Sequence, residues 1–257
     1  MGKYLIIRNI FRLVKFHPFF YFVIIISLLT GRIKSFLVFI SIILFHELGH
    51  ILFGILFKWK IEKIMIMPFG GLTIFKERIN LPIIEEVIVC IAGPIFQIIY
   101  YVLICKYVDI RSIHYNLLIF NLLPIVPLDG SKLLNLFLNK IFPFKLGLYL
   151  TNYFSIIISF IFLIIIFYTE WNLILFLTMV LLVFKTLCEI KNINYLFNKF
   201  LLERYIEDIG IKKFKYIHGI NFGKMYRDYK HIFIINKKPY TEREIIRKRF
   251  DLERKIW

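Results

Sequence analysis

Five residues inside an otherwise uncharged apolar run, His46-Glu47-Leu48-Gly49-His50, constrain this chain more than any other stretch. The run extends from Ser35 to Phe57 and carries no charge outside the motif. As a helix rising about 1.5 Å per residue it is roughly 34 Å long, enough to cross a hydrocarbon core, and the motif falls near its middle. Histidines at i and i+4 share one helix face, so both rings can reach one metal ion. Glu47 follows the first of them directly. A carboxylate there can take a proton from a water that the ion has acidified to a pKa of about 7. Buried histidines also serve as plain hydrogen-bonding residues in helix cores. Two imidazoles and a carboxylate at mid-bilayer are costly, however, and such residues are as a rule functional. A metal site is therefore expected, and nitrogen and carboxylate donors favour zinc.

Composition agrees with a membrane setting. Mean hydropathy is +0.73, and 59% of the 257 residues are hydrophobic, too apolar for an ordinary soluble domain. Net charge is +17, from 34 Lys and Arg against 17 Asp and Glu. In a soluble protein that balance would suggest nucleic acid. Positive cytoplasmic loops and the anionic lipid bilayer account for it here, and no direct nucleic-acid partner is expected. Cys90, Cys105 and Cys188 lie in or at the ends of apolar runs, without Cys-x-x-Cys spacing, and read as small packing residues. The first apolar stretch lacks a small-residue cleavage site, so no cleavable signal peptide is evident.

Residues 1–15 read as a basic, interfacial start on the cytoplasmic side. Six spans follow, at about 16–30, 35–57, 81–104, 113–137, 148–168 and 171–188. Between the second and third, apolar and β-branched residues flank Pro68-Phe69-Gly70-Gly71, which predicts a hairpin. Beside the active site its edge would suit an extended substrate; an ordinary cytoplasmic hairpin fits the pattern equally. Pro94 inside the third span predicts a kink or the start of a second segment. The tail from Glu189 holds about half of the 34 basic residues. Within it, residues 232–236, a turn and Thr241-Glu242-Arg243-Glu244 predict a strand, a turn and a helix with a capping box. The expected fold is an α-helical polytopic membrane protein of about six transmembrane helices, with a small membrane-associated β-hairpin and a short cytoplasmic C-terminal α/β segment. Two domains are expected, a membrane-embedded one over 1–188 and a basic cytoplasmic one over 189–257. Basic loops place both termini in the cytoplasm.

The fourth span contains Asn121-Leu122-Leu123-Pro124-Ile125-Val126-Pro127-Leu128-Asp129-Gly130. Such breaks inside a membrane line a cavity or are buried in protein. A two-histidine site with an open position needs a third ligand, and Asp129 is the only carboxylate in this run. The other role open to Asp129 is to cap the following helix, with Gly130 in the turn.

A His-Glu-x-x-His membrane helix followed in a later span by Asn-x-x-Pro-x-x-Pro-Leu-Asp-Gly resembles the site-2 protease family of intramembrane zinc metalloproteases. The resemblance covers about residues 17–140. It implies a Zn2+ ion held by His46, His50 and Asp129, Glu47 as catalytic base, and hydrolysis of a peptide bond in a membrane-associated protein. It also implies that Asn121 and Pro124 lie beside the substrate, and that Gly70 and Gly71 belong to a membrane-associated β-loop near it. The small layout, His17-Pro18 before the first span and the cytoplasmic tail look most like the sporulation branch of that family. That likeness implies an inactive pro-sigma factor as substrate, inhibitory membrane partner proteins, and a bacterial cytoplasmic membrane, that of the mother cell around the forespore. Gln97 and Ser131 depart from the family pattern, and neither is expected to touch the ligands. The competing reading is a metal-binding transporter or a non-proteolytic scaffold.

Overall fold

The computed structural model describes residues 14–67, 70–76, 79–168, 173–207, 210–211 and 213–253. In chain order these form β1 (Val14–Phe16), α1 (Pro18–Leu29), α2 (Ile33–Leu56), β2 (Ile61–Met67), β3 (Gly70–Phe75), α3 (Ile83–Ile104), α4 (Arg111–Leu122), α5 (Asp129–Ile141), α6 (Phe144–Tyr168), α7 (Leu173–Ile206), β4 (Phe214–His218), β5 (Lys230–Ile235), β6 (Lys238–Thr241) and α8 (Glu242–Glu253).

Three of these helices, α2, α3 and α6, are long and apolar enough to cross a membrane. Only about a third of each apolar window is buried inside the protein, so most of each surface faces outward, as lipid contact requires. The other expected spans take different forms. The first is the twelve-residue α1, about 18 Å long. The fourth is divided into α4 and α5 by the non-helical stretch 123–128. Pro124 and Pro127 explain the division, since each lacks an amide hydrogen and pushes its predecessor out of helical conformation. By contrast, α3 runs across Pro94 as one helix. The helix of the sixth span, α7, continues past Cys188, without a break, to Ile206.

The predicted hairpin is present as β2 and β3, antiparallel from Ile61↔Phe75 to Met67↔Gly70. Pro68 and Phe69, at its tip, lie outside the described residues. Sequence reading missed β1, which pairs in parallel with β2 through Val14↔Ile64 and Phe16↔Ile66. The strand order β1-β2-β3 leaves β3 at the outer edge. The sheet packs on α2 through β3.

The tail carries a second sheet, β4-β5-β6, with β4 parallel to β5 and β6 antiparallel to it. Asn236 and Lys237 join β5 to β6 at φ 49° and 63°, the two left-handed positions of a tight hairpin turn. The capping box forms as expected: the Thr241 amide donates to Glu244 Oε2 at 2.9 Å, and the Glu244 amide to Thr241 Oγ1 at 3.4 Å. Phe144 and Leu148 of α6 and Phe197, Phe200 and Leu201 of α7 share one core with Ile217, Phe233, Ile245 and Ile246 of the tail. The tail is therefore built onto the ends of the long helices. Arg204 joins the parts, donating to Asn80 Oδ1 at 2.8 Å, to the Tyr229 carbonyl at 2.8 Å and to Glu242 Oε1 at 2.9 Å.

This junction makes the tail sensitive to acid. The Tyr226 amide donates to His231 Nε2 at 3.0 Å, which fixes the neutral ring, and burial pushes the imidazole below its ordinary 6.5. Burial alone would raise the Glu242 carboxyl, but hydrogen bonds from His231 and the Arg204 guanidinium hold it below its ordinary range. Both folded-state pKa values are depressed, so the unfolded chain binds more protons than the folded one as pH falls. The stability that His231 contributes is full above about pH 6.5 and declines as pH drops from there through its folded value. Hydrogen-exchange protection of the β5 amides, corrected for intrinsic rate, should be lower at pH 5.5 than at 7.5. His231→Gln keeps an acceptor for Tyr226 and should flatten that difference; equal protection at both pH values in the wild type would refute the account.

Candidate active site and metal centre

Close approach of α2 and α3 builds the site. A Cβ at Gly49 would overlap the Ala92 carbonyl, so only glycine lets the two backbones meet there. At this contact His46 and His50 point toward Gly93, where a Cβ would run into the Nε2 atoms of both rings. Across from them, Asp129 opens α5. Its carboxylate is not a helix cap: Leu128 occupies the N-cap position, and no side chain caps it. Instead Asp129 Oδ2 lies 2.9 Å from His46 Nε2 and 3.0 Å from His50 Nε2, and the two nitrogens are 3.2 Å apart. Lys132 Nζ donates to the other oxygen, Oδ1, at 2.9 Å, leaving Oδ2 to the histidines. All three residues are buried, at 2%, 4% and 6% exposure.

These three atoms fit a zinc ion. Donors about 2.0–2.1 Å from a tetrahedral centre stand roughly 3.3 Å apart, close to the observed triangle. The tautomers agree. Each ring's Nδ1 has an acceptor, Gln97 Oε1 at 3.0 Å for His46 and the Val89 carbonyl at 2.8 Å for His50. Each Nδ1 therefore carries the proton, and each Nε2 presents a lone pair to the common centre. Gln97 was expected to touch neither ligand, and that expectation is corrected here. It is fully buried, and its own Nε2 donates to the His114 carbonyl at 3.0 Å. A lone amide in an apolar span was the available signal. The other departure, Ser131, bonds the Leu128 carbonyl at 2.7 Å.

Glu47 is 3% exposed and faces β3. The Thr73 hydroxyl donates to Glu47 Oε2, and a Cβ at Gly71 would overlap the glutamate side chain. The hairpin therefore stands beside the His-Glu-x-x-His face. Thr73 went unnoticed in the sequence because a threonine in a strand carries no distinguishing pattern. Gly70 opens β3 opposite Met67.

A cavity of about 410 Å³ adjoins the centre, with His50, Thr73, Val126, Pro127 and Lys132 in its lining. Asn121 is buried at the end of α4, and the Pro124 carbonyl accepts a hydrogen bond from Ser155 Oγ at 3.1 Å. Neither lines this cavity; Val126 and Pro127 of the same segment do.

A buried glutamate beside a His, His and Asp cluster, set in membrane-length helices and flanked by an edge strand, is the make-up of an intramembrane metalloprotease. Comparison with known proteins agrees: residues 34–109 match peptidase family M50. Stage IV sporulation protein FB of Bacillus subtilis is 36% identical over 206 residues, covering 74% of this chain and 70% of that protein. The chain therefore belongs to peptidase family M50, the site-2 proteases. A zinc metalloprotease of Methanocaldococcus jannaschii is 33% identical over 118 residues, 40% of this chain and 34% of that protein. The fold is also that of the solved site-2 protease from Methanocaldococcus jannaschii, with a TM-score of 0.56 and 21% identity over 68% of this chain and 89% of that one. The protein is an integral membrane zinc metalloprotease that acts on a membrane-associated protein.

Proposed function

We propose that His46, His50 and Asp129 hold the zinc, that Glu47 is the catalytic base, and that the substrate is an inactive, membrane-associated sigma-factor precursor. The observation that carries the site assignment is the Nε2, Nε2 and Oδ2 triangle, with sides of 2.9, 3.0 and 3.2 Å. When bound, zinc supplies a Lewis acid that polarises the scissile carbonyl and acidifies a water. Glu47 takes that water's proton and delivers it to the leaving amine. Thr73 fixes one oxygen of Glu47, and Gly71 leaves room for its side chain. The substrate enters as an extended segment, because a helix keeps its amides in internal bonds. On this reading Gly70 and Gly71 border it along β3, and Asn121 and Pro124 lie beside it on the segment that ends α4.

Support for a sigma-factor precursor is the 36% identity to stage IV sporulation protein FB. On this reading the enzyme sits in the mother-cell membrane. Six crossings leave both termini and the domain from 189 in the cytoplasm, and membrane partner proteins hold the enzyme inactive. The test is co-expression with a membrane-associated sigma-factor precursor from the same genome. Wild type should shorten the precursor and carry about one zinc per chain; His46→Ala should do neither. A precursor left intact by zinc-loaded wild type would overturn the substrate assignment. Full zinc content in His46→Ala would overturn the ligand assignment.

A further inference from the structure

Among the described residues, a few buried side-chain polar atoms have no hydrogen-bond partner. Two of them, Trp59 Nε1 and Asn152 Oδ1, belong to residues that line the cavity beside His50. The first can only donate and the second only accept. Asn152 is 5% exposed on α6, and its Nδ2 is committed to the Leu148 carbonyl at 2.8 Å, which leaves the amide oxygen over. Trp59 follows α2, and its ring packs edge-on against Phe75 of β3 with centroids 5.4 Å apart. A buried polar group without a partner is destabilising wherever water is scarce. These two stand on different parts of the chain around one cavity.

An extended peptide offers outward N–H and C=O groups, the complements of an amide oxygen and an indole N–H. We infer that Trp59 and Asn152 form a backbone-binding subsite, in which Trp59 Nε1 donates to a carbonyl and Asn152 Oδ1 accepts from an amide of an unwound substrate segment beside His50. The inference rests on the assignment of His46, His50 and Asp129 as the reaction centre. Contacts of this kind select for an unwound main chain and are indifferent to side-chain identity. Leu72 and Leu136, in the same lining, offer apolar surface to the side chains.

Binding is measured by fluorescence polarisation on the full-length, zinc-loaded Glu47→Gln protein in detergent. The probe is labelled β-casein, a chain without a stable fold. Hydrolysis is not needed, so the result does not depend on the base or on the sigma-factor assignment. Trp59→Phe and Asn152→Leu should each raise Kd about three- to tenfold, the usual loss for one neutral hydrogen bond, with zinc content unchanged. Ser159→Ala removes another unpartnered polar atom from α6, outside the cavity lining, and should leave Kd unchanged. Kd within twofold of the parent for both cavity variants, or no binding by the parent, would overturn the inference. Failure of the reaction-centre assignment would show separately, as a parent protein without zinc.

Discussion

Glu47→Gln is expected to leave zinc bound and lower the cleavage rate by about 10,000-fold, the upper end of what one positioned acid–base group contributes. The substitution is nearly isosteric, so the space opposite Gly71 is still filled and the Thr73 hydroxyl still has an oxygen to meet. What disappears is the basic oxygen that takes one proton and returns it to the leaving amine. The histidine rings are held by Gln97 and the Val89 carbonyl, neither of which depends on Glu47. Zinc content by atomic absorption should therefore match wild type while cleavage vanishes. Retained cleavage would remove Glu47 from its proposed role, and loss of zinc would make it part of the ligand set.

Gly93→Ala should do the opposite, with zinc and cleavage lost together. The added methyl would overlap the Nε2 atoms of His46 and His50. Neither ring can swing aside cheaply, because each is anchored through Nδ1. Metal affinity should fall by more than the roughly 10- to 100-fold typical of losing one supporting hydrogen bond. Gly54→Ala on α2 is the matched control. Its methyl would meet the ring of Phe75, a side chain away from the ligands, so zinc should stay. Normal zinc content in Gly93→Ala would show that the rings have room to move.

The site was legible in the sequence wherever the chemistry is local. His46 and His50 reveal themselves by an i, i+4 spacing, and Asp129 by being a lone carboxylate in a broken apolar run. The interruptions around Pro124 and Pro127 read as lining a cavity or as buried in protein, and of that segment Val126 and Pro127 line the cavity while Asn121 is buried. What escaped depends on partners distant in sequence. The bond from His46 to Gln97 joins residues 51 positions apart, and no periodicity reports it. β1 has three residues and exists only by pairing with β2, so alone it reads as part of a basic start. β6 contains Pro239, which weakens any strand assignment from composition, and an outer position in its sheet makes the proline tolerable.

The 34 residues of α7 have one mechanical consequence. At about 1.5 Å per residue this is a rod roughly 51 Å long with no proline and no glycine along it. Near one end Met179 and Leu182 pack against Ile125 and Leu128, on the segment that leads directly into Asp129. Near the other, Phe200 and Leu201 lie in the core of the tail. A stiff beam fixed at both ends has no joint to absorb a push. The helix thus ties the core of the tail, without a joint, to the stretch of chain that leads into Asp129.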